Sequence, residues 1–409
     1  MIRAIRTLTV AGVAGYTAIL LGCSFSAPDV LETPADLYKV LNTAPYASPT
    51  SAGRWTVADG TSPQGLRVDH GFSCVEASHA ADKTHLGIRV LEVADIPENY
   101  DATVFLNGWD AHYKSDDHHV KGVGAVVFNI RSFDRQLVWD AGGVLSDKNG
   151  DDGFRWCYDY TILYWPLTSK FDIQATHSDP TGKLLFVQDA TQASVVHTIP
   201  GSFTSTSSKL PRAALPSGFA MGWNSGDHHV AQLGFALGEQ SLSDKTLSWT
   251  STSVLKDNAK GRRYRAAEAV TVLSGRGITV TRPDEVLVIE NDAYVTRPNG
   301  FSLTPLPKTK CPRVQLGGTP TTVRNYAITG LTTDYAVPML TGFELAFSCS
   351  DHHVRNVGAK IIDFSYTPPF NGQTGTLSYQ VETMLTDKDT IPVMRDRVEV
   401  SVLGIDRLG

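Results

Sequence analysis

The chain has 409 residues, of which 42% are hydrophobic and 19% charged, with 35 glycines and 21 prolines. This composition is typical of globular proteins and excludes a disordered or fibrous chain, and the length suits about three domains. The net charge of −6 at pH 7 argues against a nucleic-acid partner.

The N-terminus predicts an export signal over residues 1–22. Arg3 and Arg6 supply positive charge, and an apolar stretch runs from Leu8 to Leu21. The Leu-Leu-Gly-Cys sequence that ends at Cys23 resembles the lipobox of bacterial lipoproteins, which implies acylation of Cys23; a plain secretory signal is the alternative. We therefore expect export to the cell envelope or surface, with outer-membrane anchoring as one form, and membrane contact through a lipid anchor only.

Behind the signal, residues 23–52 are rich in proline, serine, threonine and alanine and predict a flexible tether. The rest of the chain predicts an all-β fold of three tandem homologous antiparallel β-sandwich domains. The predicted boundaries are 53–168, 169–276 and 277–409.

The three domains are predicted from internal repeats. Asp-His-His-Val occurs three times, at Asp117-His118-His119-Val120, Asp227-His228-His229-Val230 and Asp351-His352-His353-Val354. Around each copy the same residues recur: a Gly-aromatic pair and a second aromatic before the Asp, then a Gly, and further on a Leu-x-Asp. The third copy has an insertion around residues 368–372. Matched spacing of this kind indicates repeated structural units.

Apolar residues alternate both before and after each Asp-His-His, which predicts two half-buried strands. Small and polar residues separate the two runs, as in Ser225-Gly226-Asp227. This pattern predicts a hairpin with Asp-His-His at the exit of its turn. A third strand, a loop with Leu-x-Asp and a final strand complete each predicted repeat.

The Asp-His-His triplets are the main candidates for chemistry, because imidazole and carboxylate groups bind zinc, copper and nickel. Neighbouring residues on a strand point to opposite faces, so only one histidine per repeat can join a site. Three repeats around a pseudo-threefold axis would then form a three-histidine centre for a divalent metal ion. In the structural alternative, each Asp bonds turn amides, one histidine packs under the aromatics and the other is exposed.

The segment from Asp147 to Gly153 has oxygen-bearing side chains at alternate positions, as in a calcium loop. The twelfth position, which is acidic in an EF-hand, is Tyr158 here. A hairpin turn is the favoured interpretation.

Five cysteines are present. With Cys23 acylated, Cys74, Cys157, Cys311 and Cys349 remain, and an oxidising compartment would allow disulfides. One bond inside the first domain and one inside the third is the economical pairing among three connectivities.

Aromatic residues cluster late in the first repeat. Trp139 has counterparts in the other repeats and is expected in the core. Trp156 and Trp165 have none and are candidate surface residues for ligand binding, since exposed aromatic rings stack on sugars.

Parts of two repeats, Thr341–Phe347 with Asp351–Val354 and Ser217–Phe219 with Asp227–Val230, resemble the closing strands of H-type lectin domains. The Trp that this family carries just before the Asp is absent. The resemblance implies antiparallel β-sandwiches that assemble as trimers and bind sugars.

The expected function is binding, adhesion or envelope or appendage structure at the cell surface, with glycans or cell-surface polymers as partners and a homo-oligomer as one state. A metal-dependent extracellular enzyme that uses the Asp-His-His motifs is the alternative. No catalytic residue is assigned, because the sequence has no Gly-x-Ser-x-Gly, His-Glu-x-x-His, Walker or Gly-x-Gly-x-x-Gly motif in the required context.

Overall fold

The computed structural model describes residues 44, 46–59, 65–77, 87–116, 118–147, 152–178, 185–190, 196–224, 226–257, 263–282, 285–290, 293–298, 303, 321–347, 352–387 and 393–408. These residues form an all-β protein of antiparallel sheets arranged as β-sandwiches, as predicted. Among them there is no helix of the length and apolarity that a membrane crossing requires. The predicted signal and Cys23 lie outside the described residues.

Each repeat contributes four long strands. In the first repeat these are β4 (Tyr100–Tyr113), β5 (Gly122–Phe133), β6 (Gln136–Ser146) and β7 (Phe154–Pro166). In the second they are β11 (Pro211–Trp223), β12 (Gln232–Ser243), β13 (Thr246–Lys256) and β14 (Tyr264–Arg276). In the third they are β19 (Tyr335–Phe347), β20 (Asn356–Thr367), β21 (Gly375–Thr386) and β22 (Val393–Ile405).

Shorter or peripheral strands extend the sheets at their edges. Before the first repeat are β1 (Ser51–Asp59), β2 (Arg67–Ala77) and β3 (Gly87–Asp95). Between the first and second are β8 (Asp172–Thr176), β9 (Leu185–Ala190) and β10 (His197–Thr204). Between the second and third are β15 (Ile278–Thr281), β16 (Glu285–Glu290), β17 (Ala293–Pro298) and β18 (Thr321–Leu331).

The strands on either side of Asp-His-His do not pair with each other, so the predicted hairpin is wrong. In the first repeat, β4 pairs with β7, whereas β5 pairs with β6. The second and third repeats divide their strands in the same way. Alternation correctly predicted two strands but carries no information on their pairing partners. The Asp-His-His segment instead passes from one sheet to another.

Each of the three large sheets combines strands from two repeats. The sheets have the strand orders β3-β6-β5-β11-β14-β8, β10-β13-β12-β19-β22-β16-β17 and β1-β2-β7-β4-β20-β21-β18. Three seams between repeats result: β5 with β11, β12 with β19, and β20 with β4. Because the last seam returns to the first repeat, the repeats form a closed ring around a pseudo-threefold axis.

The repeated glycine before each first aromatic is explained by the seams. A Cβ added to Gly108 would lie 2.0 Å from Cβ and 2.5 Å from Cα of Lys360, on the neighbouring repeat. At the equivalent Gly218, an added Cβ would lie 2.5 Å from Val126 across the next seam. Each glycine follows a β-bulge in its strand. Only glycine allows the two backbones to approach this closely.

The core lies between the paired sheets and contains the large aromatic residues. Trp139, as expected, is fully buried, and its indole N–H donates to the Tyr158 hydroxyl at 3.3 Å. Trp156 and Trp165 are 0% and 2% exposed. Because they are buried, the prediction that they form a surface for ligand binding is wrong. They lack counterparts in the other repeats because they pack in a core specific to the first repeat.

The N-terminal segment and one disulfide are tied to the first repeat. Tyr46 forms a backbone bridge with Arg89, and β1 begins at Ser51, so residues 46–52 are not the free tether that was predicted. The predicted disulfide between Cys74 and Cys157 is confirmed and joins β2 to β7. The second predicted bond, Cys311 with Cys349, lies outside the described residues.

Candidate metal centre

The three His-His-Val segments form a closed backbone ring. His118 and Val354 exchange two hydrogen bonds of 3.0 and 2.9 Å. The same exchange joins Val120 to His228 and Val230 to His352. Each segment therefore pairs with both of the others. The turn residues that sequence reasoning placed in separate domains lie at one junction of all three repeats.

The second histidine of each triplet points to the pseudo-threefold axis. These second histidines, His119, His229 and His353, have ring centroids 4.5 to 4.6 Å apart in all three pairs. One nitrogen of each ring lies within 4.8 Å of a nitrogen of both others. The prediction that one histidine per repeat converges on an axis agrees with this geometry.

The axis also passes through a buried aromatic trio formed by Trp109, Phe219 and Phe343. Their ring centroids are 4.9 to 5.5 Å apart, and each residue is buried. The trio consists of the aromatic that stands eight residues before each Asp. Edge-to-face packing of these rings fixes the spacing of the repeats and therefore the spacing of the second histidines.

The first histidines, His118, His228 and His352, point the other way and pack on the second repeated aromatic. Their rings lie 4.7 Å from Tyr113, 5.1 Å from Trp223 and 5.1 Å from Phe347, respectively. One histidine under the aromatics was expected. Because these rings are held at the outer face, the adjacent second histidines are turned inward.

The first histidines also face the carboxylates of the Leu-x-Asp motif. His228 Nδ1 lies 3.7 Å from Asp257, and His352 Nδ1 lies 3.2 Å from Asp387. Both aspartates are buried. The recurrence of Leu-x-Asp in each repeat is the sequence signal that marks these aspartates, although the insertion in the third repeat lengthens their distance from the triplet there. The sequence alone assigns them no role.

The aspartates of the triplets are only partly described, since Asp117 and Asp351 lie outside the described residues. Asp227 Oδ2 is 3.8 Å from His119 Nδ1, which belongs to the preceding repeat. At 3.8 Å this is a charge contact and not a hydrogen bond; a closer approach of the carboxylate to Nδ1 would direct the other nitrogen, Nε2, toward a metal. Asp227 is therefore placed to support His119 across the repeat boundary.

The second histidines fit a transition metal. Three imidazole nitrogens are the protein ligands of many zinc centres, and a tetrahedral zinc would hold them about 3.3 Å apart. Because the nitrogens lie within 4.8 Å of one another, the rings would have to move inward to reach that spacing. The His119 side chain is 40% exposed, so the centre is open to solvent on one side.

The segment from Asp147 to Gly153 joins β6 and β7, which belong to different sheets, so the predicted hairpin turn is wrong. Residues 148–151 lie outside the described residues. Asp147 and Asp152 both approach His118.

Comparison with known proteins gave no family model, no curated protein and no solved structure that matches this chain.

Proposed function

We propose that this protein is an exported surface protein for binding or structure, in which a divalent transition metal on the axis joins the three repeats. The convergence of the second histidines supports this proposal most directly. Each ligand comes from a different repeat, so a bound metal would connect all three at one point. A metal that binds the folded ring and not the unfolded chain stabilises the fold by mass action.

The proposed partners are glycans or cell-surface polymers. The arrangement of three similar β-sandwiches around one axis supports the resemblance to H-type lectins, in which sandwiches assemble as trimers. Trp156 and Trp165 are not part of this proposal, because they are buried. Binding of the protein to an array of glycans tests this choice of partner. The variant H119A/H229A/H353A, measured in the same way, shows whether the axial site contributes to glycan binding.

Attachment through Cys23 is part of the same proposal and rests on the sequence alone. Metabolic labelling with a fatty acid tests it in a bacterial host. Label that is present in the wild type and lost in C23A would support a lipid anchor, whereas label-free protein cleaved near this position would indicate a plain secretory signal.

The alternative is a metal-dependent extracellular hydrolase, and the 40% exposure of the His119 side chain favours it. A three-histidine zinc centre with an open position lowers the pKa of a bound water toward neutrality. Hydrolysis of activated esters or phosphoesters by the zinc-loaded protein, lost in the triple variant H119A/H229A/H353A, would favour the enzyme.

Thermal unfolding of the full chain, with zinc and with a chelator, tests whether the axial metal stabilises the fold. We expect zinc to raise the Tm of the wild type and of H197A, whose histidine packs on Tyr264 away from the axis. The triple variant should show a clearly smaller zinc-dependent rise, because it keeps only the other potential metal ligands of the chain. An equal rise in all three proteins would contradict the proposal.

A further inference from the structure

The first repeat places two carboxylates, not one, beside its first histidine. His118 Nδ1 lies 3.0 Å from Asp152 Oδ2. One donor atom each of His118, Asp147 and Asp152 lies within 4.8 Å of the other two. Asp147 is only 6% exposed, and Asp152 and His118 are partly buried. Three potential metal ligands therefore meet at the outer side of the ring.

The other two repeats provide an internal comparison. There the first histidine faces the Leu-x-Asp carboxylate, which is Asp257 or Asp387. The equivalent residue in the first repeat is Asp147, so Asp152 is an addition. At the sequence positions that correspond to Asp152, the second repeat has Arg262 and the third has Pro392. Among the residues that the structure describes, a second carboxylate therefore faces the first histidine in the first repeat alone.

The imidazole of His118 is held in the orientation that a metal ligand needs. Its Nε2 is 3.2 Å from Ser115 Oγ, and its ring packs 4.7 Å from that of Tyr113. Nδ1 is thereby directed at the carboxylates. Two carboxylates close together in a partly buried place repel each other, and a divalent cation between them removes that repulsion.

We propose that His118, Asp147 and Asp152 of the first repeat form a second divalent cation site, separate from the second histidines. One nitrogen and carboxylate oxygens suit Mn²⁺, whereas a site of imidazoles alone suits zinc, copper or nickel. His118 and His119 point to opposite sides of the chain, so the two sites share no ligand. The bound cation would fasten the loop between β6 and β7 to the His-His-Val ring.

Mn²⁺ binding to the metal-free full chain, followed by electron paramagnetic resonance, tests this inference. We compare the wild type with D152N, which keeps the side-chain shape, and with D152R, which places the arginine of the second repeat in the first. D95N, at an exposed position at the end of β3, is the matched control. Circular dichroism shows that each variant is folded.

The wild type, D95N and the triple variant H119A/H229A/H353A are expected to bind one Mn²⁺ with similar affinity. D152N should bind at least about tenfold more weakly, and D152R should not bind. Equal binding by D152N and the wild type, no binding by the wild type, or loss of binding in the triple variant would overturn the inference. The axial centre is judged separately, by zinc binding that depends on the second histidines.

Discussion

Val120 of the first repeat and His228 of the second exchange both backbone hydrogen bonds, at 2.9 and 3.0 Å. Two equivalent exchanges join the other two pairs of repeats, and one strand seam joins each of the three pairs. A unit cut out of this ring would expose unpaired edges of two sheets, which is unfavourable. The repeats are therefore parts of one folding unit and not independently folded domains joined by linkers.

This arrangement predicts a single cooperative unfolding transition. Independent domains would unfold in separate steps, whereas shared sheets lose their hydrogen bonds together. Calorimetry of the metal-free chain should give one peak whose calorimetric and van't Hoff enthalpies agree. Three resolved peaks, or a folded isolated segment 169–276, would contradict it.

Gly108→Ala should open the seam between β4 and β20. The added Cβ would overlap the Lys360 backbone, which cannot move without displacing its strand. We expect a loss of about 3 kcal/mol or more in the free energy of unfolding. Gly122→Ala is the control, because its added Cβ would meet its nearest neighbour at 3.5 Å, an ordinary contact. Denaturant titration measures both, and equal stability of the two variants would show that the seam tolerates expansion.

Asp387→Ala should destabilise the protein, since it removes the carboxylate that faces His352 at 3.2 Å. Loss of a buried, charge-assisted contact costs on the order of 1–3 kcal/mol. Asp95→Ala, at an exposed position, should change stability by less than about 0.5 kcal/mol. Urea unfolding at pH 7 separates these outcomes. A D387A protein as stable as D95A would mean that the first histidines are held by aromatic packing alone.

The buried carboxyl group of Glu268 should make the free energy of unfolding depend on pH. Burial raises the pKa of Glu268 to about 7 from an ordinary value of 4.5, while the hydrogen bond that the Trp249 indole donates to it partly opposes the rise. The folded protein thus holds this proton more tightly than the unfolded chain. The proton on Glu268 therefore contributes fully to the free energy of unfolding below about pH 4.5, and this contribution is lost as the pH rises to about 7.

In E268Q this loss should disappear, because glutamine stays neutral. The difference in free energy of unfolding between E268Q and the wild type should grow in favour of E268Q by on the order of 3 kcal/mol from pH 4.5 to 8. E98Q, at an exposed site, is the control. Denaturant unfolding at several pH values measures the difference, and a constant difference would contradict the assignment.

The sequence predicted the all-β class, the repeats and the Cys74–Cys157 disulfide, because alternation, spacing and cysteine positions are local or countable signals. It could not predict that β4 pairs with β20 rather than with β5. Alternation defines the faces of a strand and says nothing of its neighbour in a sheet.

The same limit applies to the candidate site. The rule that neighbouring residues face opposite ways predicted that one histidine per repeat would point to a common axis, and His119 does so. The roles of Asp257 and Asp152 depend on contacts between distant segments. The burial of Trp156 could not be predicted either, because an aromatic without repeat counterparts can serve the core of a single unit equally well.

Cobalt substitution tests the central claim most directly. When the metal-free wild-type chain is titrated with Co²⁺, one equivalent of the bound metal should show the visible absorption of a tetrahedral, nitrogen-rich centre, and zinc should displace it. H119A/H229A/H353A should give no such absorption, while H197A should match the wild type. Wild-type protein without this absorption, or a triple variant that retains it, would contradict a metal centre on the axis.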